Sequence, residues 1–252
     1  MKALVGGLLF EEWPDDLRKA YVIEPRGLSG WVGDVSPRHE GGDRATAHGE
    51  FDAPVYLSGR LVTVKGHAIA PTESELDQMG EKLAGLLADG SSARMSVTDN
   101  QGKTTKTRVR LGAPTKFTPH GDGAHTASFQ ITLWSADPRR IGDRRVYSGA
   151  GSVVPWQRGN FPAQVICGVS GSRPDGYELT YRGARFVVRE PLVSGSPHEI
   201  DMSTGWLRIG GDLVPGAVSR AELFTIPPGV STAALEIDGG QSLTATLHDT
   251  FI

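Results

Sequence analysis

GRLVTVKGHAIAPTESELDQMGEKLAGLLADG, residues 59–90, places one strong helix pattern directly after a strand pattern. Apolar and polar side chains alternate over residues 60–69, which predicts a half-buried strand. Pro71 then ends the strand, Thr72 is a favourable N-cap residue, and Glu75 completes a capping box. The stretch therefore predicts a strand that leads into a capped helix.

The predicted helix runs from Thr72 to Asp89 and has one apolar face. Its apolar residues recur at intervals of three and four, and they are Leu76, Met79, Leu83, Leu86 and Leu87. The pair Asp89-Gly90 ends the pattern. Since one amphipathic helix cannot bury its apolar face alone, we expect it to lie on a sheet as a flanking element of an α+β unit.

Length and composition predict two domains rich in short strands. A chain of 252 residues is long enough for two domains of ordinary size. Its 33 glycines and 16 prolines are spread along the chain, which suits strands joined by tight turns. At residues 135–140 the strand pattern stops and the composition changes. We therefore expect an N-terminal domain at residues 1–140 and a C-terminal domain at residues 141–252.

Several further segments of the first half have strand or loop character. The strand patterns cover residues 2–10, 20–24, 94–98, 104–111 and 125–135. Residues 99–102, DNQG, predict a hairpin turn. The apolar residues 4–10 run straight into an acidic segment and lack a cleavage pattern, so they predict an edge strand and turn instead of a secretory signal. Residues 36–51 are polar and glycine-rich, which predicts a long, mobile loop.

The second half is all β in pattern. Eight short strands without a helix signal predict a β-sandwich or jelly roll, and they cover residues 164–168, 177–181, 185–189, 199–202, 206–209, 222–226, 233–237 and 242–248.

Charge and cysteine content argue against several functional classes. The net charge of −3 and the absence of a Lys/Arg stripe along the sequence argue against nucleic-acid binding. No apolar run approaches the roughly 20 residues that span a bilayer, so no membrane insertion is expected. Cys167 is the only cysteine, which permits no intrachain disulfide and suits a reducing cytoplasm. Its strand-like surroundings predict a buried small hydrophobe.

No motif predicts an enzyme. The segments GLSGW at residues 27–31 and GVSGS at residues 168–172 lack the glycine that a nucleophile elbow requires. The segment GKT at residues 102–104 lacks the upstream glycine of a phosphate loop and opens a strand. The segment HGDGAH at residues 120–125 has two imidazoles and a carboxylate, but its glycines and Pro119 predict a solvated turn. The sequence thus offers no catalytic, cofactor-binding or metal-binding residue.

Tryptophans raise the question of carbohydrate binding, because aromatic faces stack on sugar rings. Trp134 and Trp206 lie in predicted strands, and we expect them to fill cores. Trp31 and Trp156 are the other two tryptophans considered, and Trp156, in a turn-rich stretch, is the best candidate for exposure.

The order of these segments resembles the distal tail proteins of long-tailed, non-contractile bacteriophages. In the first half the resemblance rests on YVIEPRGLSGW at residues 21–31, on residues 59–72 leading into the single helix, and on ITLWSADPRR at residues 131–140. In the second half it rests on residues 195–211, 226–237 and 247–252, which are similar to the strand and turn segments of the galectin-like domain of that family.

The resemblance implies an N-terminal β-sandwich with one flanking α-helix, akin to tail-tube subunits, and a C-terminal galectin-like β-sandwich. It implies a virion protein that is made in the bacterial host cytoplasm and forms a homo-hexameric ring at the distal end of the tail. Its implied partners are the tail-tube protein and the tail-tip hub protein. For the C-terminal domain the resemblance implies a host cell-surface glycan or a receptor-binding protein as a further partner. It implies no catalysis and no cofactor.

A carbohydrate-binding module for host recognition is the alternative function, in which the C-terminal sandwich binds and the N-terminal domain presents it. The sugar-contacting residues of galectins are not recognisable in residues 141–252, which counts against this alternative.

Overall fold

The computed structural model describes residues 1–252, and it is built almost entirely of β-strands with one α-helix. The predicted mainly β class with a single helix is therefore confirmed. The chain divides into two compact units. Unit 1 comprises residues 1–140 together with Ile252, and unit 2 comprises residues 141–251.

Seven strands of unit 1 form a closed barrel. The elements of the unit are β1 (Lys2–Val5), β2 (Leu8–Glu11), β3 (Ala20–Ser29), β4 (Pro37–Arg38), β5 (Tyr56–Leu57), β6 (Arg60–Ile69), α1 (Glu73–Gly85), β7 (Ala93–Thr98), β8 (Thr104–Pro119) and β9 (Thr126–Ser135). The barrel order is β8, β7, β1, β2, β3, β6, β9, and β9 pairs with β8 to close the sheet. The first half of the long β8 pairs with β7 and its second half with β9, so one sheet forms where a two-sheet sandwich was expected.

The predicted N-cap Thr72 starts α1, but the Glu75 carboxylate contacts the Thr72 hydroxyl instead of the Thr72 backbone N–H that a capping box uses. The Thr72 hydroxyl accepts the N–H of Glu75 at 3.2 Å and donates to the Glu75 carboxylate at 3.2 Å. The helix ends at Gly85, four residues before the predicted end. Leu86 has extended backbone and Leu87 has a φ of 58°, because the chain must turn here toward β7.

Residues 2–10 form a hairpin inside the sheet. Gly6 and Gly7 have φ values of 52° and 87°, which the two-residue turn between β1 and β2 requires. Since β1 pairs with both β2 and β7, the prediction of an edge strand at residues 4–10 is wrong. The Gly-Gly pair splits what the sequence suggested as one strand.

Helix α1 packs on the barrel core near β6, β8 and β9. Met79 and Leu83 are buried against this core, and the Tyr21 hydroxyl donates to the Met79 carbonyl oxygen at 2.6 Å. The rings of Phe10, Tyr21 and Phe129 lie 5.3–5.6 Å apart, in tilted and edge-on contact. The helix thus covers the end of the barrel where β6 ends and β9 begins.

The other end of the barrel contains two buried arginines that the sequence pattern did not predict. The Arg60 guanidinium is fully buried and donates to four backbone carbonyl oxygens at 2.7–2.9 Å, those of residues 30, 31, 33 and 138. The Arg140 guanidinium lies 6.0 Å from the ring centroid of Trp31. Burial lowers the pKa of both groups, and for Arg140 burial and the neighbouring charge of Arg60 lower it to about 10. Both side chains therefore remain cationic at neutral pH.

Unit 2 is a sandwich of two sheets. Its strands are β10 (Arg140–Ala150), β11 (Ser152–Val153), β12 (Val165–Ser170), β13 (Tyr177–Tyr181), β14 (Ala184–Val188), β15 (His198–Asp201), β16 (Trp206–Ile209), β17 (Asp212–Leu213), β18 (Val218–Ala221), β19 (Leu235–Ile237) and β20 (Ser242–Phe251). One sheet has the order β17, β16, β15, β12, β20, β10, and the other has the order β11, β19, β13, β14, β18.

The core of unit 2 lies between these two sheets. Cys167 and Leu243 contribute from one sheet, and Tyr181, Phe186 and Leu235 from the other. This arrangement confirms the predicted β-sandwich. The strand predicted at residues 222–226 is wrong, because the paired segment is β18, just before it.

Candidate assembly surfaces

Residues 36–58, here called the arm, form a narrow two-stranded ribbon. Short strands β4 and β5 pair at its base. Backbone hydrogen bonds at 2.9–3.1 Å link residue 58 to 36, residue 51 to 42, and residue 44 to 49. The sequence predicted a long, mobile loop here, because its short, polar, glycine-rich halves give no strand signal.

The arm has almost no core of its own. Every residue from 36 to 52 is exposed. Phe51 and Tyr56 expose 64% and 57% of their surface, and the Arg44 guanidinium lies 5.9 Å from the Phe51 ring centroid. Exposed aromatic side chains on a projecting ribbon are typical of a segment that packs on a partner.

A second exposed apolar surface, here called the hairpin patch, consists of Leu4, Leu9, Trp13 and Leu17. Leu4 and Leu9 lie directly opposite each other on β1 and β2, both pointing away from the barrel core. Trp13 and Leu17, in the following loop, are 85% and 58% exposed. Leu9 also lines a groove of about 320 Å³ beside α1. These exposed apolar side chains are suited to a protein contact.

The outer face of one unit 2 sheet has an aromatic side chain that is open to solvent. The strand register aligns Trp206, Asp201, Ile166 and Thr246 in one row across β16, β15, β12 and β20. Trp206 is 52% exposed and Ile166 is 39% exposed. This row is the one place in unit 2 where we identify an aromatic face beside carboxylate and hydroxyl groups.

The predictions for the tryptophans are partly wrong. Trp134 and Trp206 do not fill cores, since they occupy outward positions of β9 and β16, and Trp134 is 40% exposed. Trp156 is half-buried, with the guanidinium groups of Arg145 and Arg158 at 4.4 and 5.8 Å from its ring centroid. The alternation of side chains along β9 could have assigned Trp134 to the outer face, because Trp134 lies on the same side of the strand as the polar residues of β9.

The remaining candidate motifs occupy turns and strand ends. The GKT segment at residues 102–104 lies in the β7–β8 turn and opens a strand, with no helix N-terminus beside it. Ser29 and Ser170 end β3 and β12. Cys167 is fully buried, and burial raises the pKa of its thiol to about 12, which confirms the prediction of a buried small side chain.

The His120 imidazole contacts hydroxyl groups in the strand that follows it. Its nitrogens lie 3.1 Å from the Thr126 hydroxyl and 2.7 Å from the Ser128 hydroxyl, and the His67 ring lies 5.7 Å away between centroids. No group of three or more His, Cys, Asp or Glu side chains is arranged to hold a metal ion. No helix is long and apolar enough to cross a bilayer.

The fold has a full-length counterpart among solved structures. The Dit protein (gp 19.1) of phage SPP1, described as a paradigm of the hub adsorption apparatus in phages infecting Gram-positive bacteria, matches with a TM-score of 0.76 at 15% identity, covering 100% of this chain and 99% of that one. The chain therefore has the fold of that protein, and the resemblance to distal tail proteins is confirmed at the level of the fold.

Two further matches come from the phage P2 baseplate in its activated conformation. With Ca the TM-score is 0.44 at 9% identity, covering 100% of this chain and 98% of that one. With Sr it is 0.42 at 8% identity, covering 97% of each. No protein-family model matches the sequence, and no curated protein matches it either.

Proposed function

We propose that the chain is a structural subunit of a long, non-contractile phage tail and forms a hexameric ring at its distal end. The observation that carries the proposal is the full-length match in fold to the SPP1 Dit protein. In this role the ring joins the tail tube to the tail-tip hub, and the chain is a virion component made in the bacterial host cytoplasm. The proposal includes no catalysis and no cofactor.

The arm supports an assembly role on physical grounds. Residues 36–52 are exposed, so the ribbon gains little stabilisation from buried apolar surface. Ordering its backbone costs about 1–2 kcal/mol per residue. Packing Phe51 and Tyr56 on a neighbouring subunit offsets that cost, because it buries the exposed aromatic area. We therefore infer that a neighbour in the ring orders the arm.

The hairpin patch supplies a second contact surface of a different kind. In a ring with cyclic symmetry each contact joins two different surfaces of the same chain. The arm, with its exposed Phe51 and Tyr56, and the apolar hairpin patch are two such surfaces. In this proposal unit 1 forms the ring, and unit 2 is the galectin-like domain that projects from it.

Mass measurement tests the ring. A closed hexamer has six times the chain mass of 26.9 kDa, or about 160 kDa. We expect sedimentation equilibrium and negative-stain images of the purified protein to show this mass and six-fold particles. A monomer at micromolar concentration contradicts the proposal.

Shortening the arm tests the contact. Residues 39–55 are replaced by Asn-Gly, which joins β4 to β5 through a two-residue turn and keeps their pairing. We expect the shortened chain to fold but to sediment as a monomer. A matched control substitutes Val230, which is exposed on unit 2, by Ser and retains the ring. A hexamer without the arm refutes its role in assembly.

Carbohydrate binding by unit 2 is the second candidate function. The observation that favours it is the exposed Trp206, which lies opposite Asp201 on an open sheet face. Aromatic faces stack on sugar rings, and neighbouring carboxylates accept hydrogen bonds from sugar hydroxyls. Trp156 is less suitable as a platform, because the Arg145 and Arg158 guanidinium groups lie near its ring.

A glycan-binding measurement separates the two candidates. We expect Trp206→Ala to abolish binding to host cell-wall polysaccharide if this second function holds, while Trp156→Ala serves as the matched tryptophan control. The absence of any binding by the unmodified chain removes the carbohydrate candidate and leaves the ring proposal untouched.

A further inference from the structure

Four neighbouring strands of the barrel have an outer surface that is strongly basic. Along β6, β9, β8 and β7 the side chains alternate between core and exterior. Six of the outward side chains are cations, here called the basic face: Lys65, Arg94, Lys106, Arg108, Arg110 and Lys116. None of the four strands contains an Asp or Glu, so all 29 acidic residues of the chain lie elsewhere.

The charge of the basic face is not neutralised within the chain. All six side chains are exposed, and none forms an ion pair with a carboxylate. Arg108 donates to the Ser92 hydroxyl at 2.8 Å, and Arg110 donates to the Gly90 carbonyl oxygen, so both partners are uncharged. The face therefore presents a positive field on a chain whose net charge is −3.

Strand register places hydroxyl and amide groups between the cations. Gln130 of β9 lies between Lys65 of β6 and Lys116 of β8. In the next outward row Thr63 and Thr132 share a hydrogen bond of 3.2 Å. Lys, Arg, Thr and Gln side chains are the usual donors to phosphate oxygens in protein–DNA contacts.

The spacing along β8 suits a chain of phosphates. Lys106, Arg108 and Arg110 occupy successive outward positions, which lie about 6.8 Å apart in an antiparallel strand. One strand of duplex DNA carries a phosphate about every 3.4 Å along the helix axis. Three cations in a line therefore present charge at intervals comparable to the phosphate spacing, and their long side chains can reach phosphates that wind around the helix axis.

The composition of the face favours DNA over a protein partner. The central part of a protein interface is depleted in charged residues and enriched in aromatic ones. Here the large apolar side chains at outward positions are Leu61 and Trp134 at one end of the face and Ile69 at the other, and the positions between them are mostly basic, hydroxylated or amide-bearing. Interfaces with DNA are polar and positively charged in this way. With one exposed aromatic ring, the face also lacks the stacking platform typical of single-strand binding.

We propose that the basic face binds the phosphate backbone of duplex DNA without sequence preference. This proposal departs from the expectation from sequence, which rested on the absence of a Lys/Arg stripe along the chain. The cations are spread over residues 65–116, and only the register of four strands brings them together. The proposal does not depend on the hexameric ring, since each barrel has the complete face.

Fluorescence anisotropy with a labelled, mixed-sequence duplex tests the proposal. With a duplex of about 20 base pairs we expect binding at about 50 mM salt and a log–log salt slope between about −3 and −5, as several phosphate contacts require. The triple variant Lys106→Glu, Arg108→Glu, Arg110→Glu is expected to weaken binding at least about tenfold and to flatten the slope by about 2.7. The milder Lys65→Gln, Lys116→Gln pair should flatten the slope by about 1.8.

A charge-matched control uses Lys82→Glu, Arg182→Glu and Arg189→Glu, which change the net charge equally at exposed positions outside the four strands and outside the strand that pairs with β8. This control should bind as the unmodified chain does, and circular dichroism should report the same fold for every variant. The proposal is overturned if the duplex does not bind, or if both triple variants weaken binding equally. It is also overturned if poly-glutamate displaces the labelled duplex as well as unlabelled DNA does at equal charge, because the face then recognises acidic protein.

Discussion

Gly66 of β6 lies in close contact with the backbone of β3. A Cβ atom at this position would lie 1.9 Å from the carbonyl oxygen of Val22, a backbone atom that cannot move aside. We expect Gly66→Ala to lower the free energy of unfolding by about 3 kcal/mol, because the strands must separate to admit the methyl group. Urea denaturation followed by tryptophan fluorescence measures the loss.

A matched substitution in the same unit is Gly85→Ala, at the end of α1. No atom lies within 4 Å of the position that its Cβ would occupy. Alanine is also the better helix former, by about 1 kcal/mol. We therefore expect Gly85→Ala to be neutral or stabilising, and equal losses for the two variants contradict the close contact at Gly66.

Asp249 is the most buried carboxylate of unit 2 that forms an ion pair. It is 3% exposed and accepts from the Arg145 guanidinium at 2.5 and 2.9 Å and from the Arg158 N–H at 2.8 Å. Burial acts to raise the pKa of Asp249, but these hydrogen bonds and the attraction of both cations bring it below its usual value.

The depressed pKa of Asp249 makes unit 2 less stable in acid. A carboxyl group with a lower pKa in the folded state contributes stability above its unfolded pKa of about 3.9, and this stability is lost as the pH falls through the folded value. We expect Asp249→Asn to lose about 3 kcal/mol at neutral pH and to show a flatter decline below pH of about 4. Thermal unfolding at several pH values measures both effects. The control Glu199→Gln changes an exposed carboxylate and should show the same stability at each pH as the unmodified chain. If Asp249→Asn leaves the acid dependence of stability unchanged, the assignment of that dependence to Asp249 is contradicted.

Helix α1 depends on its first turn, where the Thr72 hydroxyl caps the N–H of Glu75. We expect Thr72→Ala to lower the free energy of unfolding by about 1 kcal/mol, since this N–H then has no protein partner. Thr72→Ser keeps the hydroxyl and should retain most of the stability. Chemical denaturation of the three proteins measures the difference, and equal stability of the alanine and serine variants speaks against the cap.

The elements predicted best were those with strong local signals. The Thr72 N-cap, the spacing of Leu76 and Leu83, and the hairpin turn at residues 99–102 all act through neighbours in sequence, and all are present in the structure. Strand β10 was missed because its sequence, RIGDRRVYSGA, has no apolar alternation. Its pairing is decided by distant segments of the chain, which local patterns do not report.

The surfaces of the whole chain were harder to predict than its elements. The arm was identified as a polar segment, but its pairing comes from residues up to 22 positions apart, such as the hydrogen bond between residues 36 and 58. The cations of the basic face come together only because four strands pair in their observed register. The outward position of Trp134 depends on which side of β9 faces the barrel core. Such features depend on which strands become neighbours, and that follows from the closure of the sheet.

Cleavage of the arm by a protease reports the assembly state of the chain. Arg38 and Arg44 are exposed in the ribbon, so trypsin should cut there first when the chain is a monomer. If a neighbouring subunit covers the arm, we expect the hexamer fraction to resist cleavage at both sites, because the backbone can no longer enter the protease. Mass spectrometry of the early fragments from both fractions identifies the cut. The chain with the shortened arm lacks Arg44 and should give no early cut at that position. Equally fast cleavage of the arm in hexamer and monomer contradicts its burial between subunits.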